Sequence, residues 1–455
     1  MIGTVVSFVV VLGILILIHE LGHFIVARLA GVGVERFSIG FGPVLARWRG
    51  PETEYCLSAI PMGGYVKMMG EENPLEGGGG EGGDPAKAFA TKPLWARFLI
   101  VFAGPGMNFV LAAVIISVLL ALVGRPVLPA VVGRVAGTGA AAAAGVRVGD
   151  AVTAAGDRAV TWWEDVETAA AASGGRPVAL RLRRDGAEQV VTIAPARRVV
   201  RDVLGDAREV WDFGIEPRST PVITMVAKDS PAERAGLRAG DAVVAIAGQP
   251  VYNPGEMIET IRARPRQALP LTVEREGRPL TLTVTPDAVA EDGPGGQRRE
   301  VGRIQAGIAT RAERFEAYNP VVATWQGTVR TWDMTVLTVR SFWKLVSRQI
   351  SSDNIGGPIQ IAAEVGRQAR EGLASLAVLT AFISVNLAVL NLLPVPMLDG
   401  GHLLFFVIEG VLGRPLSVRK REMAQQVGFV LLMMLMVFAL YNDLVRIGAL
   451  KLFGG

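Results

Sequence analysis

Four stretches of the chain, residues 1–18, 98–124, 373–398 and 423–442, contain no Asp, Glu, Lys, Arg or His. Each approaches or exceeds the ~20 residues a helix needs to cross a ~30 Å hydrocarbon core. The pattern predicts transmembrane helices over 1–30, 94–124, 373–399 and 423–449, joined on one side by a loop at 400–422. Gly104-Pro105-Gly106 falls inside the second helix, where it is expected to kink the helix or admit a close neighbour. Asn108 follows as a polar group at membrane depth.

Between these spans the periodicity changes. In 31–93, Leu45-Ala46-Arg47-Trp48 and Tyr55-Cys56-Leu57-Ser58 flank Gly50-Pro51, which predicts a β-hairpin. Residues 70–85 are acidic and Gly-rich and read as a flexible linker. Residues 125–372 carry charge throughout. Within the 313–372 region, Val322, Trp325, Val329, Trp332, Val336, Val339, Trp343 and Val346 recur at helical spacing. They predict an amphipathic helix that packs on the soluble modules or lies on the bilayer.

Composition agrees with the membrane reading. Apolar residues make up 50% and charged residues 19%, with mean hydropathy +0.38, against ~25% charged in ordinary soluble domains. Disorder, a collagen-like fibre and a single soluble domain are excluded. The net charge of +4 shows no basic stripe of the nucleic-acid-binding kind. Residues 28–97 hold eight Lys or Arg and 400–422 hold four, so the positive-inside rule makes these loops cytoplasmic. Both termini and the charged middle then lie outside. The first stretch lacks a basic leader and a small-residue cleavage site, and reads as a retained helix. The single Cys56 allows no intramolecular disulfide.

The middle repeats itself. Ala144-Gly145-Val146-Arg147-Val148-Gly149-Asp150-Ala151-Val152 returns as Ala235-Gly236-Leu237-Arg238-Ala239-Gly240-Asp241-Ala242-Val243, 91 residues later. An offset of that size predicts two copies of one mixed domain. The pattern resembles the permuted PDZ modules of bacterial proteases, which implies α+β PDZ domains over 125–217 and 218–312.

The chemistry sits beside the apolar spans. His19-Glu20-Leu21-Gly22-His23 ends the first one, and the chain has three histidines in all. Positions i and i+4 lie ~40° apart on a helix, so both imidazoles can share a zinc ion. Glu20 stands next to the first of them, where a carboxylate can serve as general base to a metal-bound water. Two His and a Glu in an apolar span are costly without a function. A third protein ligand is needed. The third span ends in Asn391-Leu392-Leu393-Pro394-Val395-Pro396-Met397-Leu398-Asp399-Gly400-Gly401-His402, which offers Asp399 or His402.

HExxH in the first helix, a tandem PDZ repeat and N-x-x-P-x-P-x-L-D-G near the third together resemble the site-2 protease family of intramembrane metalloproteases. Ser384-Val385-Asn386 and Asn354-Ile355-Gly356-Gly357-Pro358-Ile359 carry the resemblance further. It implies a polytopic α-helical membrane protein with four transmembrane helices, a membrane-associated β-hairpin region at 37–68 and two extracytoplasmic PDZ domains. It implies one Zn²⁺ held by His19, His23 and Asp399, with Glu20 catalytic and Asn386 and Asn391 contacting substrate. His402 is then a neighbour of the site. The implied reaction is hydrolysis of a peptide bond within the transmembrane segment of a single-pass substrate, typically an anti-sigma factor already trimmed outside. The implied setting is membrane lipid of the bacterial inner membrane, with the active site near the cytoplasmic side and the PDZ pair periplasmic, acting as a size filter. Two other classes fit the sequence less well. A membrane-tethered PDZ scaffold has no use for Glu20 in an apolar span, and a metal transporter wants polar residues through several spans.

Overall fold

The computed structural model describes residues 2–70, 84–137, 139–292, 298–311, 314–349 and 356–446. The expected linker falls almost wholly outside the described residues, as do Asn354 and Ile355. The chain divides into two compact units, one formed by 1–124 with 317–455 and the other by 125–316.

The first unit begins with α1 (Ile2–Leu29), strands β1 (Val34–Arg49) and β2 (Glu54–Met68), and α2 (Leu94–Leu122). The two helices pack closely at Gly22, where a Cβ would sit 2.2 Å from the Ala103 carbonyl oxygen. Small residues at such crossings are how helices approach within a membrane. α2 runs unbroken through Pro105. Around Gly50–Pro51 the strands pair as the expected hairpin, Trp48 opposite Tyr55 and Val44 opposite Ser58. Beyond it each strand folds back on itself. Residues 36–39 pair with 54–57 in rising register, and on their other edge with 64–67 in falling register. Two strands thus build a four-ribbon sheet, with 64–68 and 44–49 as its outer ribbons.

The second unit contains two halves with separate hydrophobic cores, one centred on Leu180, Leu182 and Trp163, the other on Leu271, Val273 and Met257. The sequence offset of 91 runs through the elements. Helices α3 (Ala140–Ala143) and α4 (Trp163–Ser173) are answered by α5 (Pro231–Arg234) and α6 (Pro254–Arg262). Strands Ala151–Ala155, Val178–Arg184 and Ala187–Ile193 are answered by Ala242–Ile246, Leu269–Arg275 and Arg278–Val284. The repeated aspartates explain why Gly-Asp recurs. Asp150 pairs with Arg184 at 2.7 Å, and Asp241 with Arg275 at 2.7 Å. Each arginine also donates to the repeat's own glycine carbonyl, Gly145 or Gly236, at 2.8 Å. Burial pushes both carboxyls up, but the guanidinium and a backbone N–H outweigh it and hold them below the usual carboxylate range. The ends of this unit meet where 314–316 pairs antiparallel with 125–127.

The chain then returns to the first unit through α7 (Pro320–Val346), α8 (Pro358–Glu371), α9 (Leu373–Asn391), α10 (Asp399–Leu412) and α11 (Val418–Arg446). Among the described residues four helices, α1, α2, α9 and α11, are long and apolar enough to cross a membrane. α7 packs along α2 and α9, and it does so inside out relative to a soluble amphipathic helix. Ala323, Gly327, Thr331 and Thr338 are buried, whereas Trp325, Trp332 and Trp343 are 67%, 67% and 70% exposed. A Cβ on Gly327 would lie 2.8 Å from the Ser117 backbone nitrogen, so the small face is what lets α7 approach α2.

Two boundaries differ from the sequence reading. The third span stops at Asn391 rather than 399. Pro394 and Pro396 lack an amide hydrogen and clash with a preceding helical turn, so the chain breaks there. The expected loop at 400–422 instead holds most of α10 and the start of α11. Asp399 therefore opens a new helix rather than closing a span. Gly400 makes the fold-back possible, since a Cβ there would sit 2.2 Å from the Leu393 carbonyl oxygen. α11 is anchored at Gly428, against Pro396, and at Asp443. The Asp443 carboxylate accepts the backbone N–H groups of Gly357, Ile359 and Gln360 at 2.9, 2.9 and 3.2 Å, capping α8.

Candidate metal centre

His19 and His23 lie one turn apart on α1, and each is only 8% exposed. Facing them, α2 presents Ile100, Gly104 and Asn108 at four-residue spacing, all buried. His23 Nδ1 is 2.9 Å from the Ile100 carbonyl oxygen. A carbonyl only accepts, so Nδ1 carries the proton and the Nε2 lone pair points the other way. Gly104 is the α2 residue that lies against the pair itself. A Cβ there would lie 2.2 Å from His23 Nε2 and 2.9 Å from His19 Cε1.

The fold brings Asp399 onto the same spot. Its Oδ2 is 3.1 Å from His19 Nε2, its Oδ1 is 3.7 Å from His23 Nε2, and the two Nε2 atoms are 3.2 Å apart. Among the described residues, His19, His23 and Asp399 form the one group of three or more His, Cys, Asp or Glu whose ligand atoms all lie within 4.8 Å. Asp399 Oδ2 is buried without a hydrogen bond. Tetrahedral zinc with bonds of ~2.0–2.1 Å has ligand–ligand edges of about 3.3 Å, which the observed spacings bracket. The donor set therefore fits a zinc ion and leaves room for one further ligand.

Neighbouring structure holds Asp399 in place. It is the first residue of α10, where the helix dipole favours a carboxylate. The preceding Met397 has φ +108°, an uncommon conformation for a side chain-bearing residue and a local store of strain. Farther along α10, buried Glu409 pairs with Arg97 of α2 at 3.3 Å, and the Arg97 guanidinium stacks 5.1 Å from the centre of the Phe406 ring. This pair ties the helix that carries Asp399 to the helix that backs the histidines.

The other sequence candidates are placed less centrally. Glu20 is half-buried, and its Cγ lies 3.0 Å from where a Cβ on Gly64 would stand, so the outer ribbon 64–68 passes directly beside it. His402 sits one turn along α10 with its ring edge-on to Phe405, outside the three-residue group. Asn386 donates to the Phe382 carbonyl oxygen at 2.9 Å and accepts from Thr338 of α7 at 3.1 Å. Asn391 is the last residue of α9. Sequence reasoning expected Gly104-Pro105-Gly106 to kink α2 or admit a close neighbour, but it did not identify that neighbour as the histidine pair. The i, i+4, i+8 run Ile100–Gly104–Asn108 on α2 is the signal for it, legible only once α2 is known to face α1.

The sequence profile of peptidase family M50 matches residues 7–435. The chain belongs to this family, the site-2 proteases. Regulator of sigma-E protease RseP of Escherichia coli is 36% identical over 97% of this chain and 98% of its own. A Ralstonia nicotianae protein named as a zinc metalloprotease is 39% identical over 98% of both chains, and one from Neisseria meningitidis is 36% identical over 98% and 99%. As an M50 member the chain is a metalloendopeptidase of the site-2 type, built into a membrane.

Proposed function

We propose that this protein binds one Zn²⁺ through His19, His23 and Asp399 and hydrolyses a peptide bond within the transmembrane segment of a single-pass substrate. The observation that carries the reading is the convergence of those three side chains beside apolar spans, where unpaired ionisable groups are costly. When bound, zinc polarises the scissile carbonyl and brings the pKa of a water down to ~7. Glu20 takes the proton from the attacking water and later delivers it to the leaving amide nitrogen. Gly104 and the packing of α2 exclude bulk solvent from the back of the site.

A helical substrate shields its own peptide bonds, so cleavage requires an extended form. The outer ribbon 64–68, which runs beside Glu20, offers a strand edge on which an unwound segment can add by backbone hydrogen bonds. Asn386 and Asn391 contribute amide groups along the substrate path, with Asn386 exchanging its bond to Thr338 for one to substrate. The basic loops favour a site near the cytoplasmic side of the bacterial inner membrane, with residues 125–217 and 218–312, read as two PDZ domains, on the periplasmic side as a filter against bulky substrates. The substrate class that the family resemblance implies is an anti-sigma factor already trimmed outside, and the name of the Escherichia coli relative, regulator of sigma-E protease, is in keeping with it.

The test is elemental analysis of the purified chain in detergent together with cleavage of anti-sigma factor transmembrane segments. The expected result is about one zinc per chain, and for Glu20→Gln retained zinc and thermal stability with no cleavage. Cleavage by Glu20→Gln at the parental rate would remove Glu20 from the chemistry, and a zinc-free, fully active parent would overturn the metal reading.

A further inference from the structure

The metal-binding reading gives Asp399 Oδ2 a role but leaves Asn108 Oδ1, close to His19, without a partner. Asn108 is fully buried in α2, and its Oδ1 makes no hydrogen bond. Its Nδ2 lies 3.3 Å from His19 Nδ1. If His19 binds metal through Nε2, the nitrogen that faces Asp399 and His23, then Nδ1 carries the proton and needs an acceptor. An amide Nδ2 cannot accept. The nitrogen and oxygen of a carboxamide are distinguished by their partners. Turned over about Cβ–Cγ, the Asn108 amide puts Oδ1 opposite Nδ1–H, and one rotation satisfies both the orphaned oxygen and the imidazole.

From this we infer that Asn108 is a positioning residue that fixes the tautomer and ring orientation of His19 for metal binding. The symmetry of the arrangement supports it. His23 is oriented by the Ile100 carbonyl, and His19, four residues earlier on α1, meets Asn108, eight residues later on α2. The helices run antiparallel at this point, so one stripe of α2 supplies an acceptor to each ligand, with Gly104 between them against both rings. Asn108 is itself held: Ser384 of α9 donates to its backbone carbonyl at 2.8 Å, which sets the depth of the side chain.

The inference rests on the zinc reading, and the experiment separates the two. Zinc affinity of the full-length chain in detergent is measured by chelator competition for the parent, Asn108→Leu and Asn108→Asp, with helix content and melting temperature alongside. Leu has the shape of Asn without an acceptor, and Asp keeps an acceptor in the same place. The expected result is a 10- to 100-fold loss of affinity in Asn108→Leu, the range for lost support of a metal-bound imidazole, with Asn108→Asp within threefold of the parent. A parent that binds no zinc overturns the metal reading itself. A parent that binds, with Asn108→Leu binding equally well, overturns only the positioning role. Equal losses in Asn108→Leu and Asn108→Asp also overturn it, because the acceptor would then not matter. Should Asn108→Leu fail to fold, Asn108→Ser, which keeps a shorter acceptor, takes its place. An affinity for Asn108→Ser between those of the parent and a His19→Ala control supports the role, and one equal to the His19→Ala control refutes it.

Discussion

Replacing Gly104 by alanine tests how far the proposed metal site depends on helix approach rather than on ligand identity. The added methyl carbon would stand 2.2 Å from His23 Nε2 and 2.5 Å from its Cε1, with His19 Cε1 at 2.9 Å. Ordinary contact begins near 3.4 Å, so the methyl overlaps His23 Nε2 by about 1.2 Å. His23 has nowhere to retreat along its ring, because Nδ1 is tied to the Ile100 carbonyl. The overlap must be relieved by rotating the imidazole or parting α1 from α2, and α1 already touches the Ala103 carbonyl at Gly22. Overpacking of this size costs ~1–3 kcal/mol of stability, and a ligand displaced by ~1 Å costs ~10²-fold in rate. Chelator competition for zinc and initial cleavage rates of a transmembrane peptide, both on the intact chain in detergent, read the two effects separately. The expected outcome is a folded protein with zinc affinity and cleavage rate each reduced at least tenfold. Parental zinc affinity and rate in a Gly104→Ala protein that folds would refute the claim that this glycine makes room for the metal ligands.

Two further outcomes follow from other parts of the fold. The depressed carboxyls of Asp150 and Asp241 stabilise the second unit above the unfolded value of ~4 and lose that contribution as pH falls through their lower folded values. Calorimetry of the intact chain should show its transition falling only below about pH 4, and Arg275→Met, which strips the partner from a buried carboxylate, should cost ~3–5 kcal/mol and weaken that acid dependence; an unshifted transition counts against the pair. The exposed tryptophans of α7 belong to a helix packed on two membrane spans, so in nanodiscs with brominated acyl chains their fluorescence should be quenched; a triple change of Trp325, Trp332 and Trp343 to Phe should remove most of that quenching, and an unaltered quenching curve places the stripe away from lipid.

The α7 stripe shows where local pattern stops being informative. Apolar periodicity locates the helix and its two faces, but which face is buried depends on the solvent outside. Next to α2 and α9 the small residues Ala323 and Gly327 win, because close backbone approach, rather than burial of large apolar groups, holds helices together in lipid. The sheet of β1 and β2 teaches a similar lesson. The turn at Gly50–Pro51 is a local signal, whereas the fold-backs that create four ribbons depend on pairing between residues far apart in the chain.

By itself the sequence determined the elements whose cause is local: the apolar spans, whose length is set by the bilayer, the i, i+4 histidines, whose common face is set by helix geometry, and the repeat, whose Gly-Asp recurs because each aspartate caps its own loop and takes its own arginine. The tertiary structure alone decided what depends on distance across the chain. Prolines 394 and 396 break a span so that Asp399, 380 residues from His19, opens a helix beside the His19–His23 pair, and Gly104 and Asn108 come from a third segment to pack against the same two rings. No spacing along one chain encodes those contacts. They arise because helices confined to a bilayer pack at the few places where a missing Cβ lets them touch.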